Sequence, residues 1–260
     1  MVSLFPRNPD PSRFGNKYKS LLACVATGFK VYGNRLQGFE ELLDSDAIAP
    51  PGTKGYDYGS WRLPVIKMEE SLLTPAFQDK YPERFDTDSW EVESMYSRRF
   101  TIDGFYHKIP KPILNRLIRA TEWIPWKPQI QQHLQSIPLL HRVLGVSVRT
   151  WRAPHDTCAL SAHRAKQFKP EKYLEVIKKF ENKVEAIFFS FDNPEAEKYF
   201  KDVTIPRINI PLTQFSPLVQ AATKAQILGN CGLILGDKES TFIEAAWYMG
   251  GCRADVILIS

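Results

Sequence analysis

The second half of the chain alternates short apolar runs with segments of helical spacing, and this alternation constrains the fold more than any other feature. The predicted strands span 143–148, 185–191, 207–210, 231–236 and 255–259, and the helices between them span 170–180, 194–200, 218–228 and 239–249. Such units predict an α/β fold, a parallel sheet with helices on both faces. Right-handed crossovers then bring the carboxyl ends of the strands to one edge, where such sheets bind ligands.

The first half is less regular and predicts a separate domain. A strand at 2–5 and a loop through 14–16 precede a long helix that runs to residue 32. The stretch 48–59 is rich in Pro and Gly and predicts a loop, while 69–80, 110–122 and 128–137 have helical spacing. The best linker is 124–128, so we expect domains at 1–127 and 128–260.

Composition excludes several classes of protein. A hydrophobic fraction of 43% is too high for a disordered chain, and no apolar run reaches the roughly 18–20 residues of a membrane span. The four cysteines form no Cys-x-x-Cys pair, and no secretory leader is visible, so we expect a reduced, cytoplasmic protein of bacterial or viral origin. The net charge of +5 suits an anionic small ligand, such as a nucleotide diphosphate, better than nucleic acid. The alternative is that the chain is simply basic and that its charge indicates no particular ligand.

Polar residues follow three of the predicted strands. Arg149 ends the first strand of the second half, and its planar fork suits a diphosphate, although it could instead pair with a carboxylate at the sheet edge. Asp192 follows the second strand and could accept a hydrogen bond from a base or ribose, or cap the next helix.

A third polar segment, which contains Ser240 and Thr241, lies between a strand and a helix. Two hydroxyls and unpaired backbone amides at a helix N-terminus form a ready anion site. The alternative is an ordinary N-cap, because Glu244 lies close to capping-box spacing. An arginine, an acid and a Ser-Thr pair at one sheet edge together favour a phosphate ligand.

These segments resemble the motifs of the fucosyltransferase superfamily, which includes the nodulation, α1,6- and protein O-fucosyltransferases. The segment 145–150 is similar to the His-x-Arg-Arg motif, 189–194 to a strand that ends in Asp-Asp-Pro, and 240–242 to the phosphate loop. Near the N-terminus, 14–21 resembles the Gly-Leu-Gly-Asn-Arg-Leu loop and helix. Ser147, Thr150 and Asn193 replace a His, an Arg and an Asp of the family pattern.

The resemblance implies a GT-B fold of two Rossmann-like domains. The C-terminal domain would bind the nucleotide sugar and the N-terminal domain the acceptor, a glycan hydroxyl. The implied reaction transfers a sugar, most consistently fucose from GDP-fucose, with inversion and without a metal or other cofactor. Residues carried across are Arg149 for the diphosphate and its departure, Asp192 for the nucleoside, Ser240 and Thr241 for the β-phosphate, and the amides of Gly15 and Asn16 for the phosphates.

Inversion also needs a general base that deprotonates the acceptor hydroxyl. Asp156 follows the arginine motif in a loop that should overhang the cleft, as an acid does at a similar offset in some family members. It could equally be an exposed loop acid. Glu40 and Glu41 are the reserve candidates.

Two other functions remain open. Asp44-Ser-Asp46 and Asp86-Thr-Asp88 match the Asp-x-Asp pattern of metal-dependent GT-A transferases, in which two carboxylates hold a divalent ion against a diphosphate. Neither follows an apolar strand. The second alternative is a protein of the same fold that binds a glycan or nucleotide without turnover.

Overall fold

A computed structural model describes residues 3–7, 14–26, 30–33, 36, 38–53, 56–59, 111–152, 159–237 and 240–259. The chain divides into two compact units, Met1–His133 and Leu134–Ser260. This division falls within a helix that begins at Pro128, and the domain boundary predicted at 127/128 stays a prediction. Among the described residues, no helix combines the length and the apolar character needed to cross a bilayer.

The N-terminal unit contains a small parallel sheet of order β2-β1-β3. Helix α1 packs against β1 and α2, and it buries Leu21 and Leu22. The elements are β1 (Ser3–Arg7), α1 (Phe14–Ala26), β2 (Lys30–Val31), β3 (Tyr56–Gly59), α2 (Lys111–Glu122) and α3 (Pro128–Gln135), with 3-10 turns at Phe39–Glu41 and Ser45–Ala47.

Two predictions for this unit were wrong. The long helix ends at Ala26 instead of continuing to residue 32, and Lys30–Val31 forms strand β2 because Val31 pairs with Leu4 of β1. The predicted loop 48–59 ends in strand β3, whose Tyr56 pairs with the same Leu4 from the other side. Both strands depend on β1 for their hydrogen bonds, so local periodicity does not reveal them. The helix predicted at 69–80 lies outside the described residues.

The C-terminal unit contains the predicted parallel sheet, whose strand order is β5-β4-β6-β7. All three pairings are parallel, which confirms the predicted α/β architecture of this half. Its elements are β4 (Leu140–Val148), α4 (Ala159–Ala165), α5 (Pro170–Lys178), β5 (Ala186–Phe191), a 3-10 helix (Pro194–Phe200), α6 (Pro217–Asn230), β6 (Cys231–Asp237), α7 (Thr241–Met249) and β7 (Asp255–Ile259).

Strand β4 lies at the centre of this sheet, and its last six residues, 143–148, are all buried. Val146 pairs with Phe189 of β5 on one side and with Leu235 of β6 on the other. A run buried on both faces is typical of an interior parallel strand. Each fully buried aliphatic side chain there contributes about 1.5–3 kcal/mol, so the strand is firmly held up to the residue that precedes Arg149.

The strand predicted at 207–210 is wrong. Only an isolated parallel bridge joins Arg207 to Ile187, with hydrogen bonds from the Ile187 amide to Pro206 and from the Ile208 amide to Ile187. Proline has no N–H donor, and residue 206 is the position whose N–H would extend the ladder toward the N-terminus. Pro206 therefore ends the pairing on that side.

Candidate functional site

Three strands of the C-terminal unit end at the same edge of the sheet. Val148 of β4 pairs with Phe191, the last residue of β5, and Ser147 pairs with Gly236 of β6. Arg149 and Asp192 follow directly, and Asp237 is the last residue of β6. The predicted edge therefore brings these polar residues together.

Arg149 forms an ion pair with Asp192. The Nη1 atom of Arg149 lies 3.0 Å from Oδ2 of Asp192, and the two side chains are 14% and 9% exposed. The structural alternative considered for Arg149, a carboxylate partner at the sheet edge, is therefore observed. The guanidinium has five N–H donors in a fixed fork. The ion pair orients this fork at the sheet edge.

The Asp192 carboxylate also binds the backbone that follows Arg149. Oδ1 accepts from the Thr150 hydroxyl at 2.8 Å, Oδ2 accepts from the Trp151 amide at 3.1 Å, and both oxygens lie 3.0 Å from the Thr150 amide nitrogen. These three donors and Arg149 Nη1 together match the roughly four lone-pair sites of a carboxylate. The N-cap alternative for Asp192 is not observed, because Asn193 caps the following 3-10 helix through the Glu195 amide.

Trp151 is a site residue that the motifs did not identify. Its backbone is left-handed, with φ of 58°, which is uncommon for a bulky residue, and the residue is only 7% exposed. The guanidinium carbons of Arg149 and Arg164 lie 4.5 and 4.6 Å from the centroid of its ring. Its Nε1 lies 3.4 Å from Oδ2 of Asp237. The indole thus links the end of β4 to the end of β6.

Tyr173 of α5 contacts the same strand end. Its phenolic oxygen accepts a hydrogen bond of 3.2 Å from the Arg149 amide. Burial, together with the carboxylates of Asp237 and Asp192, raises the pKa of Tyr173, while the Arg149 amide opposes that rise. The raised pKa keeps the phenol neutral, and its oxygen fixes the backbone at Arg149.

Ser240 is the N-cap residue of α7, but its side chain makes no capping hydrogen bond. The residue is only 4% exposed, and its amide donates to the Asp237 carbonyl at 3.0 Å. By contrast, the Ser216 hydroxyl caps α6 by accepting from the Val219 amide. The ordinary capping role considered for the Ser240 hydroxyl is therefore not observed. The positive end of the α7 dipole lies at this N-terminus and favours an anion there.

The other predicted residues belong to the N-terminal unit or lie outside the described residues. Gly15 and Asn16 belong to the N-terminal unit, where they occupy the first turn of α1 and not a loop before it. The first-turn amides of a helix lack intrahelical partners, so a phosphate contact through them stays a prediction. Asp156 lies outside the described residues. Glu40 and Glu41 lie in a 3-10 turn, and the Glu41 carbonyl accepts from Lys127 Nζ.

The Asp-x-Asp segments receive no support as a metal site. Asp44 caps the short 3-10 helix by accepting from the Asp46 amide at 3.1 Å, and it also accepts from the Ser45 hydroxyl. Asp86 and Asp88 lie outside the described residues. Within the described part of the chain, no group of three or more His, Cys, Asp and Glu residues could hold a metal ion.

The sequence was also compared with known proteins. No family model and no curated protein matches it. Among solved structures, the fucosyltransferase NodZ from Bradyrhizobium aligns with 100% of this chain and 95% of its own, at 11% identity and a TM-score of 0.51. The chain shares the fold of NodZ.

Two further solved structures match the chain, one of NodZ and one of a second protein. NodZ α-1,6-fucosyltransferase co-crystallized with GDP also gives a TM-score of 0.51 at 11% identity, over 100% of this chain and 95% of that chain. The apo form of POFUT1 gives 0.45 at 13% identity, over 100% and 97%. The two NodZ matches thus confirm the predicted α/β fold.

Proposed function

We propose that this protein is a glycosyltransferase that binds a nucleotide-sugar donor at the carboxyl edge of the C-terminal sheet. The observation that carries this proposal is Arg149, held by Asp192 at the edge of the sheet where β6 also ends, ahead of a helix whose N-cap hydroxyl is not used for capping. A guanidinium fork and an open helix N-terminus are the groups that bind a diphosphate without a metal. The NodZ fold, shared over nearly the whole chain, agrees with this assignment.

In the proposed reaction, the acceptor hydroxyl attacks the anomeric carbon of the sugar as the bond to the diphosphate breaks, which inverts the configuration. Arg149 stabilises the negative charge that develops on the departing diphosphate. Ser240 and Thr241 bind the β-phosphate, and the first-turn amides of Gly15 and Asn16 approach the phosphates. Asp156 takes the proton of the acceptor hydroxyl, with Glu40 or Glu41 in reserve.

The proposed donor is GDP-fucose, and the proposed acceptor is a glycan hydroxyl. This choice follows the family resemblance of the three motifs and agrees with the NodZ fold. We further propose the GT-B arrangement, with an acceptor-side domain at 1–127, a donor domain at 128–260 and a cytoplasmic location.

A thermal-shift screen with GDP-, UDP- and dTDP-sugars tests the proposed function. A ligand present at ~100 times its dissociation constant stabilises the folded protein by about 2.7 kcal/mol. We expect GDP-fucose and GDP to raise the melting temperature most. If no nucleotide or nucleotide sugar changes it, the proposal is wrong. If nucleotides bind but no sugar is transferred or hydrolysed, the protein is a non-catalytic binder of the same fold.

Removal of either hydroxyl of the α7 N-terminus should weaken diphosphate binding. We expect Ser240→Ala and Thr241→Ala each to cost about 1–3 kcal/mol in GDP affinity, the range for hydrogen bonds to charged groups, and to leave guanosine binding unchanged. Isothermal titration with both compounds measures the difference. Because the Ser240 side chain makes no capping bond, Ser240→Ala should also leave the melting temperature unchanged.

Ser216→Ala is the matched control, because that hydroxyl does cap a helix. It should lower stability by about 1 kcal/mol and leave GDP affinity intact. If Ser240→Ala behaves like Ser216→Ala, or loses guanosine and GDP affinity equally, Ser240 does not contact phosphate.

Transfer should continue in the presence of a chelator. Arg149 and the α7 N-terminus supply the positive potential that a divalent ion supplies in GT-A transferases. We expect turnover in excess EDTA to stay within about twofold of the rate in Mn²⁺, a change that corresponds to less than 1 kcal/mol. Loss of activity in EDTA, restored by Mn²⁺, would instead identify the Asp-x-Asp alternative.

A further inference from the structure

The contacts of Asp192 indicate a role that differs from the predicted nucleoside contact. We propose that Asp192 is a positioning residue, which fixes the turn after β4 and the Arg149 guanidinium so that the guanidinium can bind the donor diphosphate. This inference rests on the proposed function, because it names what holds the diphosphate-binding arginine in place.

Donors of the chain itself occupy the hydrogen-bond capacity of the Asp192 carboxylate. Its two oxygens accept from Arg149 Nη1, from the Thr150 hydroxyl, and from the amides of Thr150 and Trp151, at 2.8 to 3.1 Å. Those donors account for about four acceptor sites, the full capacity of a carboxylate. A ribose or base could bind Asp192 only by displacing a donor of the chain itself.

The turn after β4 has an uncommon backbone conformation. Trp151 adopts a left-handed backbone, and such strain persists only where the surrounding structure imposes it. Its amide and the preceding amide, from Thr150, both point at the Asp192 carboxylate. Successive amides that converge in this way form a small anion-binding concavity. Here the chain's own carboxylate fills it, so Asp192 is the anion that stabilises the turn.

The Arg149 guanidinium is held by contacts that depend on Asp192. Arg149 is fixed at one side by Asp192 and lies over the Trp151 ring, 4.5 Å from its centroid. Trp151 is itself held by Asp192 through its amide. A single carboxylate therefore controls both the polar and the aromatic contact of the arginine. Such preorganisation lowers the entropy that is lost when a ligand binds.

The substitution Asp192→Asn distinguishes the positioning role of this residue from the predicted nucleoside contact. The variant keeps the size of the side chain but removes the charge and replaces one acceptor oxygen with an NH2 donor, which faces the donors of the turn. If Asp192 acts through Arg149, we expect binding of inorganic pyrophosphate and GDP to weaken about 10- to 100-fold, and guanosine binding to change less than about twofold. Asp202→Asn, at an exposed aspartate of the same unit, is the matched control and should change neither.

A double-mutant cycle with Arg149→Ala provides the stricter comparison. When the arginine is absent, Asp192→Asn should cause less than about twofold further loss of pyrophosphate affinity, because residues that act as one unit are not additive. Fully additive losses, or equal losses for guanosine and GDP, would overturn the proposal and restore the nucleoside contact.

Hydrogen exchange tests the positioning role without any ligand. The Thr150 and Trp151 amides should exchange at least about tenfold faster in Asp192→Asn, while the Val146 amide inside β4 keeps its protection. If the wild-type protein binds no nucleotide at all, the proposed function fails, but this measurement still decides whether Asp192 orders the turn. Unchanged exchange of both amides contradicts the proposal.

A second variant is available if Asp192→Asn does not fold. Thr150→Val removes the hydroxyl that donates to Asp192 and accepts from the Arg152 amide, and it leaves the carboxylate in place. We expect a smaller loss of pyrophosphate affinity, about 3- to 10-fold, with guanosine binding again unchanged. Loss of guanosine affinity in this variant would contradict the positioning role.

Discussion

Arg149→Lys is expected to lower turnover about 10²–10³-fold, the scale for loss of one preorganised donor. Lysine keeps the positive charge beside Asp192, so the buried carboxylate is not left without a cation, and the fold should persist. What is lost is the two-pronged geometry and the flat contact with the Trp151 ring. Donor affinity should fall less than turnover, because the diphosphate gains its full charge only as it departs.

Steady-state kinetics, donor titration and a melting curve on the same preparation measure this prediction. Arg142→Lys is the matched control: this arginine belongs to the same strand, but it is exposed and pairs with Glu185 at the opposite end. Its turnover should equal that of the wild type. Near-normal turnover in Arg149→Lys, at an unchanged melting temperature, would exclude Arg149 from the mechanism.

Gly250→Ala should destabilise the C-terminal unit by about 3 kcal/mol or more, a large share of the roughly 5–15 kcal/mol that a domain holds. Gly250 ends α7, where the chain passes directly against the end of α6. A Cβ on Gly250 would overlap the carbonyl oxygen and the carbonyl carbon of Gly229, and these are backbone atoms that cannot change rotamer. The helix that presents Ser240 would have to shift. Urea denaturation, with the midpoint compared at constant slope, measures the loss.

The adjacent glycine provides the control. Gly251 has φ of 70°, and a Cβ there would meet only the Arg253 side chain, at 3.8 Å. Asparagine tolerates this left-handed conformation, so Gly251→Asn should cost less than about 1 kcal/mol. A small effect of Gly250→Ala, similar to that of Gly251→Asn, would contradict the close packing of α6 against α7.

The sequence predicts the parallel sheet well because its strands are buried on both faces. Runs such as 143–148 and 255–259 are apolar and β-branched, and they are bounded by helices with clear periodicity. Strands β2 and β3 were missed because they are short and are stabilised only by their pairing with β1. The 207–210 run was predicted as a strand because its apolar pattern concealed the effect of Pro206.

The candidate site, like the fold, could be predicted only in part. Its location was predictable, because consecutive parallel strands place Arg149 and Asp192 at one edge. The partners of each side chain were not predictable. Whether the Ser240 hydroxyl folds back onto its helix, and whether Asp192 faces a ligand or the turn at Trp151, depends on side-chain rotamers. These are set by packing between segments about 40 residues apart or more, and periodicity and motif spacing contain no information on them.

The central claim is that the donor binds where β4, β5 and β6 end, and hydrogen exchange measured with and without GDP tests it most directly. We expect slower exchange on GDP binding in the peptides that contain Arg149–Arg152 and Ser240–Glu244, and no change in those that contain the exposed end of β4 at His141. GDP binding that leaves both of the first two peptides unchanged, or that protects the segment from Asp44 to Asp46 instead, would contradict the account.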